Sequence, residues 1–507
     1  MTKSEDLKNL YIEREYKRRL KAYPAFGSLK LSAWVSFSIF LLLALGAVGS
    51  GENGTDFNLP MLAVSLAFLA PALLSFYLTK RVQKDILVLG DVREGTMRAG
   101  GLLLPFMLLF NVFAAIAGFT LIKKGRHPEY LLGAWSILTS VCVIVISMFN
   151  VFKPAVVPTF FLGIGLLSLL TVLYTVATFL AARWIKDKQV DKRMLPVGVL
   201  LILSSFSGNL FALLMGIMIL SKLKSKDKSI EWIEVVKRLF RNNMALVGMF
   251  VVTFLFSVSI CSALTFDERI ALNSNFQVLL HAPSLQFPFG TDDFGRCVFT
   301  RIIFGARISL IIGFVSTIIP IIIGGALGAI AGHYGNLADN VVMRFMDVLF
   351  SVPGILLAIA IISAFGASTT NLIIALSVWG VPVYARTMRA QVLSVSNSEF
   401  VEAAKSIGQR RYQIVLKHIV PNSMAPMIVR ATMGIGTAVL STSALSFLGL
   451  GVEPHVPEWG NILRVGSRFL ELHPHLAIYP GLAIVIIVLA FNYFGDGLLD
   501  GLNPKTK

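Results

Sequence analysis

The sequence predicts an all-α, polytopic membrane protein, and three observations lead to that fold class. Of the 507 residues, 55% are hydrophobic and only 14% are charged, a balance that a water-soluble domain does not need. Several apolar runs reach about 20 residues or more, the length at which a helix crosses a bilayer. Lys and Arg residues, which bring the formal net charge to +17, lie in short loops beside those runs. We therefore assign this charge to membrane topology and anionic lipid contact rather than to nucleic-acid binding.

The amino-terminal half begins with a basic arm, residues 1–29, and continues as an additional membrane domain over 30–222. The tetrapeptide NVFA at 111–114 recurs as NLFA at 209–212, which indicates an internal duplication of roughly 100 residues. We expect the asparagine that begins each tetrapeptide to form a hydrogen bond between packed helices. Six apolar segments fill the domain, at about 31–50, 60–79, 100–122, 130–151, 156–182 and 194–221.

The topology of this domain has two solutions. Segments 100–122 and 194–221 carry basic residues at both ends. Either the positive-inside rule is broken twice, or these segments are re-entrant. Repeats with three crossings each would be inverted relative to one another, as in some transporters. Both solutions place a linker, residues 223–243, in the cytoplasm, with an amphipathic helix over 230–240.

The polar, basic stretch 399–422, EFVEAAKSIGQRRYQIVLKHIVPN, lies between long apolar runs and has the pattern of a docking helix. Ser396 and Glu399 have capping-box spacing, so a helix can start there. The residues expected on one exposed face include two alanines, which would leave a shallow surface for another protein. Gly408 predicts a left-handed helix stop, and a second short helix is expected from Arg410 to His418. The residues of the expected face are Phe400, Ala403, Ala404 and Ile407.

This stretch resembles the EAA loop of ABC importer permeases. The resemblance rests on Glu402-Ala403-Ala404, on Gly408 after a short gap, and on IVPN at 419–422. In that family the loop is a coupling helix, which inserts into a groove of a cytoplasmic ATPase subunit and transmits ATP-driven motion to the membrane helices. The resemblance therefore implies an ATPase-coupling role for Glu402, Ala403, Ala404 and Gly408.

From about residue 235 to 505 the chain resembles the C-type permease of dipeptide and oligopeptide ABC importers nearly end to end. This implies a six-helix permease domain over 244–507, with both termini in the cytoplasm and about six further membrane segments before it. The family's motifs stand here as GTDDFGR at 290–296 and PEWGN at 457–461. The positions to which the resemblance assigns a structural role are Gly290, Asp292, Gly295, Arg296, Arg307, Arg344, Asp347, Trp459, Gly460 and Asp496.

The residue types at these positions suggest their local roles. The glycines of GTDDFGR permit tight turns, and its two carboxylates can cap a helix start or hold Arg296. A metal or catalytic pair is the minor alternative, because no His or third acid lies nearby in the sequence. Arg344 and Asp347 are three residues apart on one helical face and can form an ion pair. The Pro-Gly pair at 353–354 is expected to bend its helix.

The sequence also departs from the family pattern. Cys297 stands where the family usually has Asp, and the run Ser441 to Ser443 stands where a Glu is common. Leu499 and Asn503 replace the usual Arg and Asp of the terminal motif. A missing carboxylate in the pathway bears on the charge of the favoured substrate. The three cysteines are far apart in the sequence, which predicts no disulfide framework.

The function that the resemblance implies is that of a membrane-spanning, non-catalytic subunit of a peptide importer in the cytoplasmic membrane of a prokaryote. The chain has no phosphate-cradling GxxxxGK[ST] loop, so we expect no cofactor in this chain, with ATP and Mg bound by partner subunits. The implied partners are a second homologous permease, two ATPases, an extracellular substrate-binding protein and the lipid bilayer. Related importers carry nickel or oligosaccharides, which keeps those substrates open. From other classes, an intramembrane enzyme would need a nucleophile–base or paired-acid pattern, which we do not find, and a sensor role for the amino-terminal half stays open.

Overall fold

The computed structural model divides the chain into two compact units, one of Met1–Ile146 with Gly165–Ile233 and one of Ser147–Ile164 with Glu234–Lys507. Most of the expected arm at 1–29, part of the amphipathic helix expected over 230–240, and Asn503 lie outside the described residues. The structure describes residues 20, 23–46, 48–51, 54–57, 59–109, 111–122, 128–153, 156–186, 189–224, 235–236, 238–240 and 242–502.

The described residues confirm the all-α, polytopic fold class. Seven of their helices are long and apolar enough to cross a membrane, and a bent pair of helices would make an eighth span. The strands in the described residues are two short antiparallel pairs, Val48–Gly51 with Gly54–Phe57, and Ile185–Lys186 with Gln189–Val190.

The first unit consists of two similar sets of helices. Each set has two long helices followed by an apolar segment that breaks into two short halves. The helices of the first set are α1 (Pro24–Gly46), α2 (Leu59–Leu89), α3 (Glu94–Ala99), a 3₁₀ helix (Gly100–Leu109) and α4 (Val112–Ile122). Those of the second are α5 (Pro128–Met148), α6 (Phe160–Trp184), α7 (Leu195–Ser204) and α8 (Leu210–Lys224), with short 3₁₀ turns at Lys192–Met194 and Ser205–Ser207. The 3₁₀ turn between α5 and α6, Phe149–Phe152, belongs to the second unit.

Each broken segment folds back on itself as a hairpin. A Cβ placed on Gly118 of α4 would lie 2.7 Å from the carbonyl oxygen of Gly100, at the start of the same segment. A Cβ on Gly216 of α8 would likewise lie 2.8 Å from the carbonyl oxygen of Gly198 in α7. Because the end of each segment returns to its beginning, the basic residues at both ends can stay on one side of the membrane. The structure therefore supports the re-entrant solution, in which the two sets enter the membrane in the same direction and are not inverted.

The two hairpins also break at equivalent asparagines. The amide nitrogen of Asn111 donates to Ser36 Oγ at 2.7 Å, and its oxygen accepts from the amide of Ala114 at 3.0 Å. Asn209 donates to the carbonyl oxygen of Ser136 at 3.0 Å and accepts from Ala212 at 3.2 Å. Each asparagine thus caps the returning half-helix and ties the hairpin to the first long helix of its set, the packing role expected from the sequence.

A buried ion pair closes the second set. Lys222 Nζ at the end of α8 lies 2.5 Å from Glu129 Oε1 at the start of α5, and both side chains are almost fully inaccessible. The sequence reasoning missed this pair, because the two residues are 93 positions apart and only the hairpin brings them together.

The described residues of the second unit form seven long helices, two of which make a bent pair, with short helices between them. The long helices are α9 (Asn243–Thr265), α10 (Val298–Tyr334), the pair α11 (Asn336–Ser351) and α12 (Gly354–Phe365), α13 (Thr369–Ser396), α15 (Val420–Phe447) and α17 (His475–Leu502). The short ones are α14 (Glu399–Ser406), α16 (Trp459–Ser467), turns at Arg269–Leu272, Phe276–Val278 and Arg411–Ile414, and a π turn at Val415–Ile419.

The expected bend at 353–354 is present. Helices α11 and α12 meet there at 82°. Pro353 lacks the amide that would continue α11, and Trp379 of α13 occupies the space beside Gly354, where a Cβ would lie 2.2 Å from the indole. A larger residue at 354 would therefore displace Trp379.

The second unit also contains residues 147–164, which the sequence analysis assigned to the additional membrane domain. Asn150 Nδ2 donates to the carbonyl oxygen of Thr265 at 3.0 Å. The buried Lys153 ammonium donates to Thr300 Oγ1 and lies 5.2 Å from the centroid of the Phe266 ring. Burial lowers the pKa of Lys153. These contacts, all with residues around the carboxyl end of α9 and the amino end of α10, explain why the segment belongs to this unit.

Candidate functional site

A helix is present where the docking helix was predicted, as α14, Glu399–Ser406. It starts where expected, but not through a capping box. Ser398 occupies the N-cap position without a side-chain capping bond, and Ser396 is the last residue of α13. Because α13 runs on to Ser396, that side chain is not available to begin a new helix.

The two faces of α14 differ from the expected ones. Val401 and Ala404 are buried, whereas Ala403 is exposed and Phe400 and Ile407 are 45% and 75% exposed. The sequence predicted Ala404 on the outer surface, but its side chain packs inward. The spacing of 400, 403 and 407 forms one outward stripe of a 3.6-residue helix. We call Phe400, Ala403 and Ile407 the outer stripe.

Gly408 ends the helix in the left-handed conformation that the sequence predicted, with φ of +77°. Its amide donates to the carbonyl oxygen of Lys405 at 3.0 Å, and the next amide, that of Gln409, donates to Ala404 at 3.2 Å. These two bonds are those of a Schellman motif. No atom lies within 4 Å of where a Cβ of Gly408 would be, so the requirement for glycine here comes from the backbone and not from a neighbour.

The inner face of α14 is joined to the long helices of the unit. Val401 and Ala404 belong to one apolar cluster with residues of α10, α13 and the segment that leads into α15. A displacement of α14 would therefore move against three membrane helices at once, because closely packed side chains transmit strain. The other buried members of the cluster are Ala329, Tyr384, Met388, Val392, Ile414, Val415, Ile419 and Met427.

The segment after Gly408 corrects a second expectation. The sequence predicted a separate helix from Arg410 to His418 that ends before Pro421. Instead one helical turn at Arg411–Ile414 passes through a π turn into α15, so that 411–447 is a single long helix. Pro421 stands in the first turn of α15, where its missing amide is tolerated next to the wider π turn. Residues 411–419 are thus continuous with α15.

The GTDDFGR motif forms a tightly turned loop at the start of α10. Gly290 and Gly295 both have positive φ, +75° and +71°. The carboxylate of Asp292 accepts hydrogen bonds from the backbone amide of Arg296 at 2.9 Å and from its Nε at 2.8 Å. It therefore holds Arg296, which is one of the two roles predicted for the acids of this motif. The guanidinium of Arg301, 3.6 Å from the same carboxylate, adds a second positive charge. Asp292 therefore holds the loop against α10, and the sequence missed the share of Arg301.

The second acid of the motif has no comparable partner. Asp293 Oδ1 is buried without a hydrogen bond from any described residue. Its burial, together with the adjacent Asp292, raises its pKa. Among the described residues there is no group of three or more His, Cys, Asp or Glu side chains that would hold a metal ion.

A buried carboxylate organises the PEWGN motif. Glu458 accepts from the amides of Gly460 and Asn461, at 2.8 and 3.2 Å, and so caps α16. It also accepts from the hydroxyls of Ser443 at 2.8 Å and Ser309 at 3.3 Å, which joins α16 to α15 and α10. Burial raises the pKa of Glu458. Sequence reasoning quoted this residue without assigning it a role, although an acid before Trp-Gly-Asn is a capping signal.

The other two predicted residues of this motif pack tightly around that carboxylate. The fully buried Trp459 donates from Nε1 to the carbonyl oxygen of Ile302 at 2.9 Å. Gly305 lies against the Trp459 ring, and a Cβ on Gly460 would lie 2.1 Å from the carbonyl oxygen of Ser443. Both glycines thus permit close contact of α10, α15 and α16.

The predicted pair between Arg344 and Asp347 is not formed. Asp347 pairs instead with Arg386 of α13, with 2.7 Å between Oδ1 and Nη2. Arg389, one turn further along α13, forms a bidentate pair with Asp339 at the start of α11, with both distances 2.5 Å. The predicted pair does not form because α13 lies beside α11 and offers better-placed cations. Arg344 is exposed and has no ion pair with a described residue.

Two further predicted positions, Arg307 of α10 and Asp496 of α17, are exposed and form no ion pair with the residues that the structure describes. Asp496 lies between two glycines that pack closely, Gly495 against Met433 and Gly497 against Ala245. α17 itself runs to Leu502, beyond the end near 494 expected from the sequence. These contacts join the last helix to α15 and α9.

With this geometry in hand, the comparisons with known proteins decide the family. The family model of the binding-protein-dependent transport system inner membrane component matches residues 324–507. A dipeptide transport system permease of Alkalihalophilus pseudofirmus is 43% identical over 276 residues, which are 54% of this chain and 90% of the relative. The chain belongs to the family of peptide ABC importer permeases.

A second curated relative matches a similar share of this chain. A glutathione transport system permease of Pectobacterium atrosepticum is 37% identical over 284 residues, 56% of this chain and 94% of the relative. The inward-facing methionine ABC transporter MetNI matches at a TM-score of 0.33 with 21% identity, over 38% of this chain and 93% of its own. The curated relatives are named as permeases, which are non-catalytic transport subunits. This permease is longer than the two curated relatives, since the matched residues are 54% and 56% of this chain but 90% and 94% of those relatives.

Proposed function

We propose that this permease imports dipeptides or short oligopeptides, and that α14 is the surface through which a cytoplasmic ATPase drives it. One observation carries the proposal: α14 exposes the outer stripe while its inner face is packed against α10, α13 and the start of α15. A helix exposed on one side and fixed on the other is suited to receive a force and pass it on. Ala403, the smallest member of the outer stripe, lets a partner approach the helix closely.

The proposal includes the other subunits of the transporter. A second, homologous permease would complete the translocation path. Two ATPases would bind ATP and Mg²⁺ and dock on the two coupling helices, and an extracellular binding protein would deliver the substrate. In support, this sequence has no phosphate-cradling loop of its own, and the matched family is defined by dependence on a binding protein.

We place α14 and both chain termini in the cytoplasm. The charges around α14 support this orientation, because basic residues collect on the cytoplasmic side of short loops. Arg386 and Arg389 lie near the end of α13, and Lys405, Arg410 and Arg411 follow within the next turns of the chain.

The proposed substrate class rests on the names of the relatives. One is named for dipeptides and another for glutathione, which is itself a small peptide. Small peptides are therefore the class that both names share, and we prefer them to nickel or oligosaccharides. A sensor role for the amino-terminal unit stays a prediction without support from its geometry.

The test is purification of the permease from its native membrane followed by transport measurements. We expect two nucleotide-hydrolysing subunits and a second permease to copurify, and deletion of the chain to abolish uptake of a labelled dipeptide. A matched strain in which the wild-type chain is restored controls for secondary effects of the deletion. Copurification of no ATPase, or dipeptide uptake unchanged by the deletion, would refute the proposal.

A further inference from the structure

The second unit contains a cavity that no motif of the sequence pointed to. It has a volume of about 440 Å³, within the range typical of small-molecule sites, and it opens between α10, α11, α13 and α15. Its lining is mainly apolar and contains no acidic residue. The lining residues are Ser316, Thr317, Phe350, Leu376, Trp379, Gly380, Val383, Tyr384, Arg430, Met433, Gly434, Thr437 and Ala438.

Arg430 is the charged residue of this lining. It lies ten residues into α15, about 15 Å along the helix axis, at a depth where an arginine is costly unless it has a partner. It is exposed, and no described residue forms an ion pair or hydrogen bond with it. A cation that is kept at such a position without a protein partner points to an anionic ligand.

The remaining polar groups of the lining show which side chains are free to bind an anionic ligand. The hydroxyls of Ser316 and Thr317 donate to carbonyl oxygens of their own helix, at 2.6 and 2.7 Å. The hydroxyl of Tyr384 forms no hydrogen bond with a described residue and lies beside Gly434, where a Cβ would be 2.4 Å from it. Gly434 follows Arg430 by one helical turn. The hydroxyl of Thr437 likewise donates to its own helix, to the carbonyl oxygen of Met433 at 3.3 Å. Among the charged and hydroxyl groups of the lining, the donors without a hydrogen bond to a described residue are therefore the Arg430 guanidinium and the Tyr384 phenol, with apolar walls around them.

We propose that this cavity is a substrate contact site, in which Arg430 and Tyr384 receive the terminal carboxylate of a small peptide. A carboxylate matches the fork of a guanidinium with two parallel hydrogen bonds. Trp379 and Phe350, which also line the cavity, take up an apolar side chain of the peptide. This inference rests on the proposed import of peptides. It adds that the permease recognises the terminal carboxylate of the peptide.

The same cavity touches the bend of the unit. Trp379 lines the cavity and also packs against Gly354, at the 82° angle between α11 and α12. A ligand that displaces the indole acts directly on that angle. Occupancy of the cavity is thus coupled by contact to the shape of the helix pair.

The first test compares variants of Arg430 in cells that carry the complete transporter. Arg430→Gln should lower uptake of the dipeptide Leu-Phe by at least about tenfold, the loss that corresponds to about 1.4 kcal/mol. Arg430→Lys keeps the charge and should restore part of the uptake. Arg344→Gln, which removes an exposed arginine without an ion pair, is the matched control and should keep wild-type uptake. Unchanged uptake by Arg430→Gln would overturn the proposal.

Assembly is measured in the same variants. Arg430→Gln should copurify with the same partner subunits, and the purified complex should hydrolyse ATP as the wild type does. Loss of copurification would show that Arg430 pairs with an acid of the second permease, and would also overturn the proposal. A wild-type complex that imports no peptide at all would refute the proposed function instead.

A second test measures peptide binding in the cavity directly. Thr437→Cys places a thiol in the cavity, and its labelling by a maleimide is followed in membrane vesicles that contain the assembled complex. Millimolar Leu-Phe should slow the labelling, whereas Leu-Phe amide, which lacks the carboxylate, should not. Equal protection by both peptides, or by neither, would contradict a carboxylate site. Adding Arg430→Gln to the cysteine variant should abolish the protection.

Discussion

Replacing Gly408 with valine separates the backbone requirement at the end of α14 from every side-chain contact. Gly408 has φ of +77°, and no atom lies within 4 Å of its absent Cβ. A side chain at 408 therefore meets open space, and its cost is that of holding an L-residue in the left-handed region. That cost is about 1–2 kcal/mol, and a β-branched residue lies at the upper end or beyond. Since 1.4 kcal/mol is a tenfold change in an equilibrium, the Schellman turn should be substantially depopulated.

The matched variant is Gly408→Asn, because asparagine adopts the left-handed conformation far more readily than valine. We expect peptide uptake to fall several-fold with valine and to stay near wild type with asparagine. Membrane protein levels should be equal in both, since the site is on the surface. The assay is uptake of labelled dipeptide in whole cells, normalised to the permease detected by immunoblot. Wild-type uptake by the valine variant would refute the coupling role, and equal loss with asparagine would show that contact, not backbone conformation, sets the requirement.

Three further predictions use other parts of the unit. Ala403→Trp should abolish ATPase copurification without lowering thermal stability, whereas Ala404→Trp, at a buried position, should lower the free energy of unfolding by about 1–3 kcal/mol; the reverse pattern would contradict the assignment of the two faces. Asp347→Asn should lower the free energy of unfolding by less than about 1 kcal/mol, because the ion pair with Arg386 is half exposed. A larger loss of stability in a thermal-shift assay would contradict the weak contribution expected of an exposed pair. For Glu458, a raised pKa means that the folded state binds the proton more tightly, so its contribution to stability falls as pH rises from 4.5 through the raised pKa. The melting temperature of the wild type relative to Glu458→Gln should therefore decrease with pH across that interval, and a flat difference would mean that the carboxylate is not desolvated.

Much of the helical framework could be read from the sequence, because bilayer crossing demands long apolar runs and breaks are marked by polar residues. The bend at 353–354 and the stop at Gly408 followed from local backbone chemistry, which needs no knowledge of neighbours. The hairpins of the first unit were one of two solutions, and the basic residues at both of their ends were the physical sign that favoured them.

Tertiary choices were not readable in the same way. Spacing suggested that Arg344 pairs with Asp347, but the packing of α13 against α11 supplied Arg386 instead. A run of small residues could not show which alanine of α14 faces inward, because Ala403 and Ala404 are alike in size and hydrophobicity. Glu458 and Arg430 were overlooked because their significance lies in what surrounds them, a buried triple junction in one case and an apolar cavity in the other.

Site-specific photo-crosslinking from α14 in native membranes tests the central claim most directly. A photoreactive residue at position 403, on the outer stripe, should form an adduct with a nucleotide-hydrolysing subunit, and the same residue at 404 should give none. No adduct from 403, or modification of position 403 by a membrane-impermeant reagent applied outside intact cells, would contradict the account.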